Sequence, residues 1–212
     1  MHSFLTDETE TYTRQMRPAV DSILAEMESY AREHDVPIAA RDVARFQAML
    51  VEATGADRVL EIGTAIGYTT IQLARAGADV VTIERDENRI AAAEAFIADA
   101  GAGDSIDIEA GNATAVLPTL EGRFDLIFVD AKKDEYGAYL DESVPLLRPN
   151  GLLVVDNLLW GGRVPSAAVG DRSPDPETAA LLEFNERFTS HPRLQAIILP
   201  FADGTGFAVK SE

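Results

Sequence analysis

The sequence predicts an α/β fold: a seven-stranded sheet, mostly parallel, ending in a C-terminal antiparallel hairpin, with helices on both faces and an N-terminal helical extension. Three observations carry this. From residue 57 onward, short apolar runs alternate with stretches of helical periodicity, the pattern of right-handed βαβ crossovers. The runs are mostly apolar, as strands covered on both faces are. The last two runs flank a glycine-containing turn, Ala202-Asp203-Gly204-Thr205, which sends the chain back antiparallel. A length of 212 residues suits one domain, with residues 1–55 as a helical cap and 56–212 as the core.

The elements follow in order. Met16, Val20, Ile23, Leu24 and Met27 recur at helical spacing and predict a helix running through them. Pro37 breaks the chain, because the residue before a proline is pushed out of helical geometry. A second helix spans 41–53, with Val43, Phe46, Met49 and Leu50 on one side and Gly55 as its stop. Strands are expected at 59–62, 80–83, 106–108, 124–129 and 152–155, and helices at 70–76, 87–100, 113–120 and 136–147. A helix over 176–189 precedes the hairpin strands 194–199 and 206–209.

Composition narrows the function. Asp and Glu total 36 against 18 Lys and Arg, a formal net charge of −18, which argues against nucleic acid and anionic membranes as partners. With no cysteine, disulfides, thiolate nucleophiles and cysteine zinc sites are excluded, and three histidines (His2, His34, His191) cannot build a histidine-rich metal site. Of the 18 basic residues only Lys132, Lys133 and Lys210 are lysines. This acid-rich, lysine-poor composition fits salt adaptation and GC-rich coding bias equally well. No run of 18 apolar residues is present, and the polar, acidic start lacks the basic and apolar regions of a signal peptide, so the expected location is cytoplasmic.

In open parallel sheets, ligands sit outside the carboxyl ends of the strands. The first strand runs into Gly63-Thr64-Ala65-Ile66-Gly67, a turn whose glycines let backbone approach a ligand and whose following helix offers free N–H groups. It lacks the Gly-x-Gly-x-x-Gly of dinucleotide sites. Glu84 ends the second strand, 21 positions after Gly63, where a carboxylate grips a ribose diol. Together these indicate an adenosine-type cofactor without separating NAD from S-adenosylmethionine. Asn112 and Ala113, after the third strand, flank the place of an adenine ring, and Asn112 equally suits a plain helix cap. Asp130, Asp156 and Asn157, after the fourth and fifth strands, offer two carboxylates and an amide oxygen, the hard donors of Mg²⁺, Ca²⁺ or Mn²⁺; the alternative is that the acids cap the next helices. Lys133 lies three residues beyond Asp130 and, unlike arginine, can act as a base.

The blocks 60–70, Glu84, 130–136 and Asp156-Asn157-Leu158-Leu159-Trp160-Gly161-Gly162-Arg163-Val164 resemble the cation-dependent class I O-methyltransferases of the catechol and caffeoyl-coenzyme A type, above all their small prokaryotic members. The resemblance spans about 39–209 and implies a Rossmann-like sheet. It implies that Glu61, Gly63 and Gly67 shape an S-adenosylmethionine pocket, that Tyr68 and Thr69 hold the amino-acid end, that Glu84 binds ribose, and that Asn112 and Ala113 line the adenine, with Asp130 at the edge. It further implies metal ligation by Asp130, Asp156 and Asn157, Lys133 as general base, a small catechol-like hydroxyl acceptor and a homodimer. Ala65, Asn112 and Lys132 depart from residues common in that family. Trp160 suits an acceptor wall or simple packing, and the N-terminal helices with the loop 164–176 are expected to cover the acceptor. Competing readings are a metal-independent methyltransferase, a nucleotide- or NAD-binding protein without methyl transfer, and an idle cofactor-binding module.

Overall fold

The structure, a computed structural model, describes residues 7–171 and 173–211. Expectations touching residues 1–6, His2 among them, and Arg172 lie outside the described residues.

The N-terminal part holds α1 (Asp7–Gln15), α2 (Ser22–Glu33) and α3 (Arg41–Thr54). The helix expected to run from Met16 to Met27 is interrupted. The chain leaves helical geometry at Met16, and Pro18 keeps Arg17 out of it. Helix α2 then starts afresh at Asp21, whose Oδ1 accepts the N–H of Leu24 at 3.0 Å. Leu24 and Met27 turn inward as expected, but Met16 and Met49 are exposed, so each apolar stripe is one residue narrower than its periodicity suggests.

The sheet follows as β1 (Arg58–Ile62), β2 (Asp79–Glu84), β3 (Ile106–Ala110), β4 (Phe124–Val129), β5 (Leu147–Val155), β6 (Leu194–Leu199) and β7 (Thr205–Lys210). Between the strands lie α4 (Tyr68–Arg75), α5 (Glu87–Asp99), α6 (Ala113–Val116), α7 (Tyr136–Leu146), α8 (Arg163–Ala168) and α9 (Pro176–Thr189). Helix α6 is shorter than expected because Pro118 tightens the chain into a 3₁₀ turn over Leu117–Thr119. Strand β5 is longer, running through Pro149 and Gly151 with a register shift against β4, where the turn-forming residues 148–151 had hidden it.

The strand order is β3-β2-β1-β4-β5-β7-β6, with β7 antiparallel to both its neighbours. Alternate residues of a strand face opposite sides. Leu60, Ile127, Val129 and Leu153 accordingly join Tyr136, Leu140, Phe184 and Phe188 of α7 and α9 on one face. Val59, Leu126, Phe128 and Val154 join Val43, Val51 and Leu73 of α3 and α4 on the other. No helix among the described residues is long and apolar enough to cross a membrane.

The order reverses between β1 and β4, so chain leaving β1 and β2 departs from chain leaving β4 and β5 and opens a crevice at their carboxyl ends. The two sides meet closely at Gly63. Its φ is +106°, and a Cβ there would lie 2.2 Å from the carbonyl oxygen of Asp130. Gly63→Ala is expected to cost about 3 kcal/mol or more in chemical denaturation. A loss below about 0.5 kcal/mol would mean that the β1 exit yields freely.

Candidate active site

The crevice is a cavity of about 490 Å³, within the range of small-molecule sites. Of the residues singled out from sequence, Gly63, Tyr68, Thr69, Glu84, Asn112, Ala113, Asp130, Lys133, Asp156, Asn157 and Trp160 line it. Glu61 and Gly67, expected to shape it, stand behind its wall. The Glu61 carboxylate is buried and accepts the hydroxyls of Thr70 and of Thr82, the latter at 2.7 Å. Gly67, at φ +86°, turns toward Ala93 and Ile97 of α5, and its N–H donates to the Thr64 carbonyl at 2.8 Å.

At one end, Glu84 is held by backbone alone. Its Oε2 accepts the N–H of Ala65 at 2.9 Å, and its Oε1 those of Arg85 at 2.9 Å and Asp86 at 3.1 Å. The carboxylate thus has a fixed orientation before any ligand arrives. Ala65 takes the left-handed φ of 48° to reach it, a conformation easier for glycine, which gives the departure at this position a steric cost. Asn112 caps α6, with Oδ1 accepting the Thr114 N–H at 3.1 Å, so capping and cavity lining coexist in one side chain.

At the other end, Lys133 is 7% exposed and its ammonium makes three close bonds: to Asp130 Oδ1 at 2.9 Å, Asn157 Oδ1 at 2.7 Å and the Tyr136 hydroxyl at 2.7 Å. The Tyr136 hydroxyl donates in turn to the Asp156 carbonyl at 3.2 Å. Burial, then the neighbouring Asp130 charge, pushes the Asp156 carboxyl up to about 7. Asn157 has φ 64° and Trp160 φ 50°, two left-handed non-glycine residues in one loop. The loop is held by the hairpin turn between β6 and β7. Leu158 and Leu159 N–H donate to the carbonyls of Gly204 and Asp203 at 2.8 and 2.9 Å, and Gly161 N–H donates to Asp203 Oδ1 at 2.7 Å. Arg163 stacks on the Trp160 ring, 4.6 Å from its centroid.

Among the described residues no three His, Cys, Asp or Glu side chains form a metal-holding group. The candidate cation set remains two carboxylates and an amide oxygen.

Several contributors were missed from sequence. Tyr136 entered only as a helix start and as the end of the 130–136 block, with no role of its own, although its offset of three from Lys133 is a usable signal. Asp203 was read only as part of a turn and Pro37 and Ile38 only as a break between helices, while Ala39 and Ala40 carried no reading of their own, yet all line the cavity. The loop 164–176 was expected over the acceptor. None of its described residues lines the cavity; Glu177, just beyond it, does. Val164 instead turns into the core as α8 forms.

Comparison with known proteins gives matches over most of the chain. A family model described as O-methyltransferase matches residues 17–211. The catechol O-methyltransferase of Niastella koreensis is 31% identical over 202 residues, covering 89% of this chain and 90% of that protein. The O-methyltransferase of Bacillus cereus, solved in complex with SAH, superposes with a TM-score of 0.86 at 29% identity over 96% of this chain and 97% of that one. The O-methyltransferase TomG of Streptomyces achromogenes, solved with SAM, gives 0.86 at 28% identity over 97% and 96%.

Glu61 makes this end of the sheet pH-sensitive. Burial, first, and the charges of Asp130 and Glu84 push its pKa from 4.5 up to about 8, against the opposing bonds from Thr70 and Thr82. The folded protein retains a proton that the unfolded chain releases near 4.5, so this contribution to stability is complete below that pH and is lost as pH rises through about 8. Unfolding free energies from denaturant titrations between pH 5 and 8 should therefore fall more steeply for the wild type than for Glu61→Gln, by up to about 1.4 kcal/mol per pH unit. Parallel profiles would mean that Glu61 is ionised in the fold.

Proposed function

The chain belongs to the O-methyltransferase family, and on that footing we propose that it moves methyl from S-adenosylmethionine to a hydroxyl of a small, catechol-like acceptor held through a divalent cation, Mg²⁺ foremost. The observation that carries this reading is the Lys133 ammonium gathered among Asp130, Asn157 and Tyr136 in the same cavity that the fixed Glu84 carboxylate enters. The relatives solved with SAH and SAM support the cofactor, and the Niastella relative supports the acceptor class.

The residues divide the work. Glu84 would accept the two ribose hydroxyls, and its existing backbone bonds leave it no reorganisation to make. Asn112 and Ala113 would flank the adenine; Tyr68 and Thr69, with the turn after Gly63, would hold the amino-acid end. Asp130, Asp156 and Asn157 suit a hard cation. They present oxygen donors only, and the raised Asp156 carboxyl marks a place where negative charge is under-neutralised. A divalent ion there would supply Lewis acidity that favours ionisation of an acceptor hydroxyl. Lys133 Nζ would receive that proton as the neutral amine, after its own ammonium proton has passed to solvent, with Tyr136 keeping the amine at the oxygens. Trp160 would give the acceptor ring an apolar wall, and a dry cavity favours a reaction in which charges neutralise.

A second reading has its own support. Lys133 already satisfies oxygens of Asp130 and Asn157, as a metal-independent transferase would require. Chelation separates the two. Methyl transfer to a catechol panel should stop with EDTA and return with Mg²⁺, and Asp156→Ala should lose turnover while still binding S-adenosylhomocysteine. Lys133→Met should lower kcat by about a hundredfold or more. Turnover that ignores the chelator would leave the methyltransferase and remove the cation.

A further inference from the structure

Away from the reacting groups, one partly buried charge cluster joins the N-terminal helices to the cavity. Glu28 of α2 receives Arg41 of α3 through both carboxylate oxygens, Nε to Oε1 at 2.9 Å and Nη2 to Oε2 at 2.5 Å. The same Oε1 accepts the hydroxyl of Tyr68 at 2.7 Å. Burial opposes ionisation of Glu28, but the bonds from Arg41 and Tyr68 outweigh it and hold the carboxyl below its ordinary value. Forked arginine–carboxylate pairs are the geometrically strict ion pairs.

The cluster's position gives it a consequence. Glu28 and Arg41 stand on either side of residues 34–40, the segment that supplies Pro37, Ile38, Ala39 and Ala40 to the cavity wall. Within that segment, backbone bonds run from Val36 N–H to the Ala31 carbonyl at 2.9 Å and from Ala44 N–H to the Ala40 carbonyl at 3.0 Å, anchoring its two ends. Tyr68 opens α4 directly after the glycine turn and itself lines the cavity. One carboxylate therefore ties the two flanks of the wall segment to the first residue of α4.

We propose that Glu28 is a positioning residue for cofactor binding: by gripping Arg41 and the Tyr68 hydroxyl together it closes segment 34–40 against the glycine-turn end of the cavity. The proposal rests on the S-adenosylmethionine reading given above. A second cap-to-α4 contact provides the control. Asp21 pairs with Arg75 at 2.6 Å and caps α2, but neither it nor Arg75 lines the cavity.

The test is calorimetric binding of S-adenosylhomocysteine to the full chain, with steady-state kinetics. Glu28→Ala should raise the dissociation constant about tenfold, and the cofactor KM with it, while kcat at saturation stays within about twofold. Glu28→Gln, whose amide oxygen still accepts from Tyr68, should recover part of the affinity. Asp21→Ala should lower the melting temperature and leave affinity unchanged. Equal weakening by Asp21→Ala and Glu28→Ala would reduce the cluster to cap stability and overturn the proposal, as would wild-type affinity in Glu28→Ala. If Glu28→Ala does not fold, hydrogen exchange decides. The amides of Ile38, Ala39 and Ala40 should exchange faster in Glu28→Gln than in wild type with S-adenosylhomocysteine present, and equal rates refute the idea. Wild-type protein that binds no S-adenosylhomocysteine would remove the functional reading and this one together; wild-type binding with an unaffected Glu28 variant removes this one alone.

Discussion

A buried ammonium is tolerable only where oxygens surround it, and the architecture at the carboxyl edge of the sheet follows from that requirement at Lys133. Removing one partner from such a cluster leaves an uncompensated charge, which costs far more than the pair gains. The partners come from separate stretches of chain: Asp130 leaves β4, Asn157 leaves β5, and Tyr136 opens α7. They meet because β4 and β5 run parallel with Val129 level with Val155, so the residues after each strand emerge at the same height. A slip of one residue in that pairing would turn the core face outward and carry Asp156 away from Asp130. The strand register, the close approach at Gly63 and the short step from Asp130 to Lys133 therefore express one constraint.

Much of this was legible in the sequence because parallel sheets concentrate chemistry at strand ends. Once the apolar runs were placed, Glu84, Asp130 and Asp156 fell at their termini without any knowledge of strand order, and Lys133 followed from its offset. What escaped did so for different physical reasons. Glu61 looks like a site residue because it sits in the same motif as Gly63, but alternation along β1 sends its side chain behind the wall to Thr70 and Thr82. Asp203 and segment 37–40 reach the cavity only through the packing of distant chain, which no local pattern reports. The interruption at Pro18 was a local signal overridden by an apparent apolar period that the N-cap at Asp21 starts anew.

The loop that carries Asn157 and Trp160 shows how the fold sustains a conformation its own residues disfavour. Left-handed non-glycine residues persist when their surroundings over-determine them. Here the carbonyls of Asp203 and Gly204, the Asp203 carboxylate and the Asn185 amide all bond to residues 158–161. Gly204 admits this approach because a Cβ on it would lie 2.4 Å from Leu159. The C-terminal hairpin, which makes this sheet differ from an all-parallel one, is thus also the brace for the cavity's far wall.

The surplus of acid in the sequence resolves differently inside the fold than outside it. Among the described residues only Glu61, Glu84 and Asp156 are buried carboxylates, and all three belong to the carboxyl edge of the sheet. Each meets the cost of burial by a different route. Glu61 is pushed toward its protonated form and bonded by two threonine hydroxyls, Glu84 takes three backbone N–H groups, and Asp156 leans on its own backbone bond from Asn157 and on the nearby Lys133. Only the last route leaves charge unmatched, with Asp130 beside it. The buried cations follow a parallel logic. Among the described residues both are lysines, Lys133 at the cavity and Lys210 at the end of β7 on the Leu147 carbonyl, in a chain where arginine is five times as common. A compact ammonium fits against the three oxygens at Lys133 or the single carbonyl at Lys210, where a planar guanidinium would need a broader seat. Scarcity of lysine therefore does not mean that lysine is dispensable: the chain retains it where a cation must be enclosed, and at the cavity that same choice keeps a removable proton beside the oxygens an acceptor would meet.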